Sequence, residues 1–118
     1  MKAKIFKNIF ENMAGQDITV HGGTYIKIAE IENLEGEPEI HESYTDVYIV
    51  IGGKGILYIG EKLKSLVEIS RGELRGKEIE DAERFELSKD SIVVIPHGTA
   101  HKLDVKGKMK LIVLKVKS

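Results

Sequence analysis

The run Glu39-Ile40-His41-Glu42-Ser43-Tyr44-Thr45-Asp46, continuing through Val47-Tyr48-Ile49-Val50-Ile51 to Gly52-Gly53, combines the period-2 pattern of a β protein with groups that can hold a metal. In extended backbone, side chains at i and i+2 share a face, so Glu39 and His41 point one way and Ile40 the other. Two ligating groups therefore converge from one short strand. Asp46 stands five residues after His41, an odd step that would turn it to the opposite face. The polar tetrad Glu42-Ser43-Tyr44-Thr45 is expected to form a loop or bulge that resets the phase. Beyond it, Asp46, Tyr48 and Val50 alternate with Val47, Ile49 and Ile51, giving a strand covered on both faces. A carboxylate heading such a strand must be paired, protonated or bound to a cation.

A second motif lies far downstream, Pro96-His97-Gly98-Thr99-Ala100-His101. The apolar run Ile92-Val93-Val94-Ile95 is stopped by Pro96, which cannot donate to a sheet ladder, and Gly98 permits the turn into the next strand. His101 opens that strand on the same face as Leu103 and Val105, so its ring is expected to point inward. Elsewhere, β-branched and aromatic runs at 18–20, 24–31, 56–59, 84–87 and 109–116 predict further strands. Gly22-Gly23, Gly52-Gly53, Gly72, Gly76 and Lys106-Gly107-Lys108 fall where hairpin turns would be needed. This spacing predicts an all-β sandwich or barrel rather than βαβ units. Ile5, Phe6, Ile9, Phe10 and Met13 recur at helical spacing and predict a short N-terminal helix of about three turns, with a strand over the first few residues as the other reading.

With 118 residues, the chain is expected to form a single domain over 1–118. Eighteen basic and nineteen acidic residues balance to a net charge of −1, and no basic stripe interleaved with aromatics tracks a phosphate backbone. Nucleic acid is not an expected partner. The apolar runs are too short to cross a bilayer and the first twenty residues lack a signal-peptide core, so no membrane partner and a cytoplasmic location are expected. The chain has no cysteine, which leaves only nitrogen and oxygen ligands for any metal. Gly52-Gly53-Lys54-Gly55 lacks the Ser/Thr and following helix of a phosphate loop.

Taken together and in this order, the two motifs resemble those of the cupin superfamily, small β-barrels with a central ligand or metal pocket. That family usually shows G-x5-H-x-H-x3,4-E-x6-G followed by G-x5-P-x-G-x2-H-x3-N. Here Glu39 stands where the first histidine is expected, His41 matches the second, Asp46 replaces the glutamate and His101 matches the last histidine. Asp90 takes the place of the second motif's first glycine, and Asp104 lies one residue before its asparagine position. Aligning Ser43 as a lost second histidine after His41 is the other option, and it leaves the loop one residue short. The segment Arg71-Gly72-Glu73-Leu74-Arg75-Gly76 and the ending Val113-Leu114-Lys115-Val116 also look like those of small single-domain cupins. The resemblance implies a double-stranded β-helix (jelly-roll barrel), a homodimer, and a site at Glu39, His41, Asp46 and His101.

Two imidazoles and two carboxylates suit a divalent metal, Fe, Mn, Zn or Ni, with no organic cofactor implied. The other reading of the same four residues is a hydrogen-bonded polar cluster in a metal-free pocket. His97, in a turn, is a candidate for proton transfer at the pocket mouth, and Tyr48, on the face of Asp46, for donating to a ligand. Arg71 and Arg75 could bind an anionic ligand through their guanidinium forks, on a segment whose glycines suggest a mobile flap over the pocket. Solvated loop charges are their plainer explanation. The expected partner is a small molecule. Lewis-acid isomerase or lyase chemistry on a sugar or oxygenated acid fits an enzyme, Fe(II) dioxygenase chemistry is a second enzymatic option, and a non-catalytic metabolite-binding or sensor barrel is the rival class.

Overall fold

Antiparallel strands make up 65% of the chain in a computed structural model, which describes residues 2–118. The elements are α1 (Ile9–Asn12), β1 (Asp17–His21), β2 (Thr24–Glu35), β3 (Glu39–His41), β4 (Tyr44–Gly60), β5 (Leu63–Lys64), β6 (Val67–Ser70), β7 (Glu73–Arg75), β8 (Glu78–Ile79), β9 (Glu83–Ser88), β10 (Ile92–Ile95) and β11 (Ala100–Lys117). The architecture is all-β, as the alternation and turn residues predict, and it is the jelly roll that the resemblance implies.

Strand β11 organises it. One edge pairs with β2 and the other with β4, so that Lys27, Val113 and Tyr48 form one cross-strand row and Tyr25, Lys115 and Asp46 the next on the same face. The first turn of β11 also reaches β3, with His101 opposite Glu39. β3 pairs with β7 and β7 with β6, while β4 also carries β9 and β10. β5 and β8 form a separate two-stranded sheet.

Two apolar clusters fix these walls. Val50, Leu57, Ile95, Val105, Met109 and Leu111 fill the space inside β4, β10 and β11. Ile40, Leu63, Leu74, Ile79 and Ala100 pack behind β3 and β7. Ile40 and Leu74 are paired in register, so their neighbours Glu39, His41, Glu73 and Arg75 must all face the opposite side, into the barrel. Burying each of these aliphatic side chains stabilises the fold by roughly 1.5–3 kcal/mol, which anchors the short strand that presents the site.

Three expectations are corrected. The N-terminal helix is one turn rather than three, because Asn8 adopts a left-handed conformation (φ 51°) and the element buries no residue. Ile5 and Phe6 remain exposed, and a short helix without a packed face is marginal. Gly52-Gly53 and Lys106-Gly107-Lys108 are not hairpin turns. They are irregularities within the long strands β4 and β11, where the register shifts between Asp104 and Met109. A side chain on Gly53 would collide with the backbone of Lys108 and Met109, so glycine there permits close passage of two bent strands. Residues 71–76, expected as a flap, instead contain a strand paired on both edges with Leu74 buried. Gly22-Gly23 does form a two-residue hairpin turn, with both residues at positive φ. Among the described residues no helix is long and apolar enough to cross a membrane.

Candidate metal centre

The break at Glu42-Ser43 separates β3 from β4 and resets the alternation, so Asp46 faces inward and is 2% exposed. Four groups therefore meet from three strands: Glu39 and His41 from β3, Asp46 from β4 and His101 from β11. The two imidazole rings stand 5.1 Å apart, centre to centre. His41 Nε2 lies 3.2 Å from Glu39 Oε1 and 3.5 Å from Asp46 Oδ2. His101 Nε2 lies 3.4 Å from Glu39 Oε1 and 3.7 Å from Asp46 Oδ2. One ligand atom each from Glu39, His41 and His101 falls within 4.8 Å of the others. Groups bound about 2.1 Å from a shared ion stand roughly 3–4 Å from one another, so this spacing suits a common cation.

Both histidines have their other nitrogen occupied. His101 Nδ1 is 2.9 Å from the carbonyl of Thr99, which can only accept, so Nδ1 carries the proton and Nε2 of the neutral ring offers a lone pair. That Nε2 is buried and has no hydrogen-bond partner among the described residues. At 3.4 Å from Glu39 Oε1 it makes no hydrogen bond, so two lone-pair atoms face each other across the centre. His41 Nδ1 is 2.7 Å from Glu73 Oε1, an arrangement that orients the ring and leaves Nε2 for the centre.

The carboxylates differ in their surroundings. Burial alone would raise the pKa of Glu39, but the adjoining His101 and His41 outweigh it and hold the group well below the usual carboxylate range. Arg75 lies 3.3 Å from Glu39 Oε2 and also approaches Glu37 and Glu73. Burial opposes the charged form of His41, yet Glu39 and Asp46 prevail over both burial and the Lys115 charge, and its pKa is raised. Asp46 Oδ1 stands 2.6 Å from the ammonium of buried Lys115, an oblique ion pair rather than an aligned hydrogen bond.

A cavity of about 730 Å³ opens over these groups. Tyr48, Arg71 and Arg75 line it, as does Glu73. Tyr48 is also part of the core; its burial, reinforced by the charges of Asp46 and Glu39, pushes the phenol pKa well above its ordinary value, so it stays a neutral hydroxyl. His97 is exposed, as its turn position suggests, lies outside the cavity lining, and has Nδ1 3.2 Å from Ser118 Oγ. Its neighbour Gly98 donates to the carbonyl of His41 at 2.8 Å, which ties this turn to β3. Arg75 is not a solvated loop charge: it turns inward to Glu37, Glu39 and Glu73.

Two participants escaped the sequence reading. Lys115 was signalled by its phase, because it falls on the inward face with Leu111 and Val113. Glu73 was signalled by the alternation Glu73-Leu74-Arg75, too short a pattern to stand out between two glycines.

Comparison with solved structures agrees with this architecture. The BH2720 protein of Bacillus halodurans superposes with a TM-score of 0.71 at 18% identity, covering 99% of this chain and 83% of its own. A cupin protein of Bacteroides fragilis, BF4112, superposes with a TM-score of 0.61 at 13% identity, covering 100% and 84%. The chain has the cupin fold. The Fe(II) form of HppE superposes on the cupin barrel with a TM-score of 0.58 at 12% identity, covering 79% of this chain and 43% of that one. HppE has also been solved with Co(II). No protein-family model matches the sequence, and no curated protein matches it.

Proposed function

We propose that this cupin holds one divalent metal on Glu39, His41 and His101, with Asp46 as a fourth, shared ligand, and that a small oxygenated molecule binds beside it in the cavity. The observation that carries this reading is the buried Nε2 of His101, without a hydrogen-bond partner among the described residues, which faces the same point as His41 Nε2 and the Glu39 carboxylate. A bound divalent ion supplies Lewis acidity, polarising a carbonyl or lowering the pKa of water. The chain's own residues do the rest. Glu73 and the Thr99 carbonyl orient the imidazoles, and Lys115 holds Asp46 by Oδ1 so that Oδ2 faces the two Nε2 atoms. Isomerase or lyase chemistry on a sugar or oxygenated acid fits this set. The two-histidine, one-carboxylate subset also suits Fe(II) and oxygenase chemistry.

A second reading, a metal-free binding or sensor barrel, is favoured by one feature: Arg75 and Lys115 already answer Glu39 and Asp46. Metal analysis of untagged protein, purified without added metal, decides between them. The metal reading expects one ion per chain, lost in both His41→Ala and His101→Ala while the circular dichroism stays native. A metal-free wild type, or full occupancy in both variants, sinks it.

A further inference from the structure

The charges lining the cavity do not cancel. Six cationic side chains face it, Lys27, Arg71, Arg75, Lys102, Lys115 and Lys117, against four carboxylates. Arg75 answers Glu37, Glu39 and Glu73, and Lys115 answers Asp46, which exhausts the acids. Lys102 pairs outside the lining with Asp104. Among the described residues Lys27, Arg71 and Lys117 have no carboxylate partner.

Two of these three are brought to one corner. The carbonyl of Gly72 accepts from Glu42 N–H at 2.8 Å, and Gly72, at φ +77°, lies against Ser43, which fixes Arg71 beside the Ser43-Tyr44 corner. From the other side, Ser118 N–H donates to the carbonyl of Ser43 at 2.8 Å, and Lys117 stands opposite Tyr44 in the β11–β4 register. The Lys117 ammonium sits 4.9 Å from the Tyr44 ring centre, a cation–π contact that holds it over the corner. Ser43 and Tyr44 themselves line the cavity. Tyr44 and Asp46 share a face two residues apart, which separates this corner from the metal centre by roughly 7 Å along β4.

We propose that Arg71 and Lys117, around the Ser43-Tyr44 corner, form an anion subsite, and that the ligand carries a phosphate or carboxylate roughly 7 Å from the oxygens that meet the metal centre. The inference rests on reading the cavity as a ligand pocket and names its substrate class. It excludes neutral sugars and compact hydroxy acids whose only carboxylate lies beside the hydroxyl, because neither spans the two points.

The test is calorimetric titration of inorganic phosphate, glutarate, glucose 6-phosphate and glucose into protein as purified and after chelator treatment. Glucose 6-phosphate or glutarate is expected to bind and glucose not to. The stronger of the two identifies a phosphate or a carboxylate tail. Arg71→Gln and Lys117→Gln are each expected to weaken that binding about tenfold or more, the usual weight of a charge-assisted hydrogen bond. Lys27→Gln removes the same charge from the same cavity away from the corner and is expected to change it by less than about threefold. Inorganic phosphate is expected to show the same ranking on chelated protein, so the subsite can be judged even if no metal is found. The proposal is overturned if no anion binds at about 1 mM, or if only one of the two corner variants matters. It is equally overturned if Lys27→Gln weakens binding as much as they do, which would mark a diffuse field.

Discussion

Glu39 and Asp46 flank the same two imidazoles, but they belong to different walls of the barrel and are neutralised differently. Glu39 is 27% exposed at its side chain and shares Arg75 with two other carboxylates, so no cation is dedicated to it. Asp46 is 3% exposed and has Lys115 to itself. An Arg at the rim can rearrange with its solvent; a buried ammonium cannot leave without stranding its partner. The contrast makes Glu39 the freer ligand and Asp46 the one whose second oxygen is spoken for. It also separates what each wall contributes, affinity on the β3–β7 side and fixed geometry on the β4–β11 side.

The largest expected effect breaks the Asp46 wall. Lys115→Met keeps the length of the stem and removes the charge, leaving a buried carboxylate uncompensated. Metal-free protein is expected to lose about 3–5 kcal/mol of stability in urea denaturation. Adding a divalent metal is expected to recover much of it, because a second cation then sits beside Asp46. Arg75→Gln is expected to cost about 1 kcal/mol or less, since Glu39 keeps access to water. Equal losses in the two variants would erase the distinction between the walls.

A smaller effect sharpens the affinity side. Glu73 touches no ligand position but orients His41 from 2.7 Å. Glu73→Gln is expected to lower metal affinity about 10–100-fold, read by competition with a chromophoric chelator, with stability little changed. If affinity is unaffected, His41 owes its orientation to packing against its neighbours alone.

The contrast between what was and was not legible in the chain follows the same division. Glu39, His41, Asp46 and His101 could be read because period-2 alternation places side chains on a face irrespective of which strands pair. The continuity of β4 and β11 could not, because Gly53 and Gly107 look like turn residues until it is known that Gly53 passes against Lys108 and Met109. The status of residues 71–76 likewise depended on Leu74 finding Ile40, a contact between segments thirty-odd positions apart in sequence. Lys115 was visible as a charged residue in an apolar phase, but its meaning required the row it shares with Asp46.

The smallest effect is a pH window in metal-free protein, and it tests whether Glu39 and His41 act as a pair. The Glu39 pKa is lowered on folding, so its contribution is complete above the ordinary value of 4.5 and is lost as pH falls below it. The His41 pKa is raised, so its contribution is complete below the ordinary value of 6.5 and is lost as pH rises through the higher folded value. Both are complete only between those limits. Wild-type stability measured against Glu39→Gln is therefore expected to show its greatest advantage near the middle of that window and to narrow on both sides. A difference that stays flat from acid to alkaline pH would mean that Glu39 is held by Arg75 rather than by the imidazoles, and the affinity wall would then resemble the Asp46 wall after all.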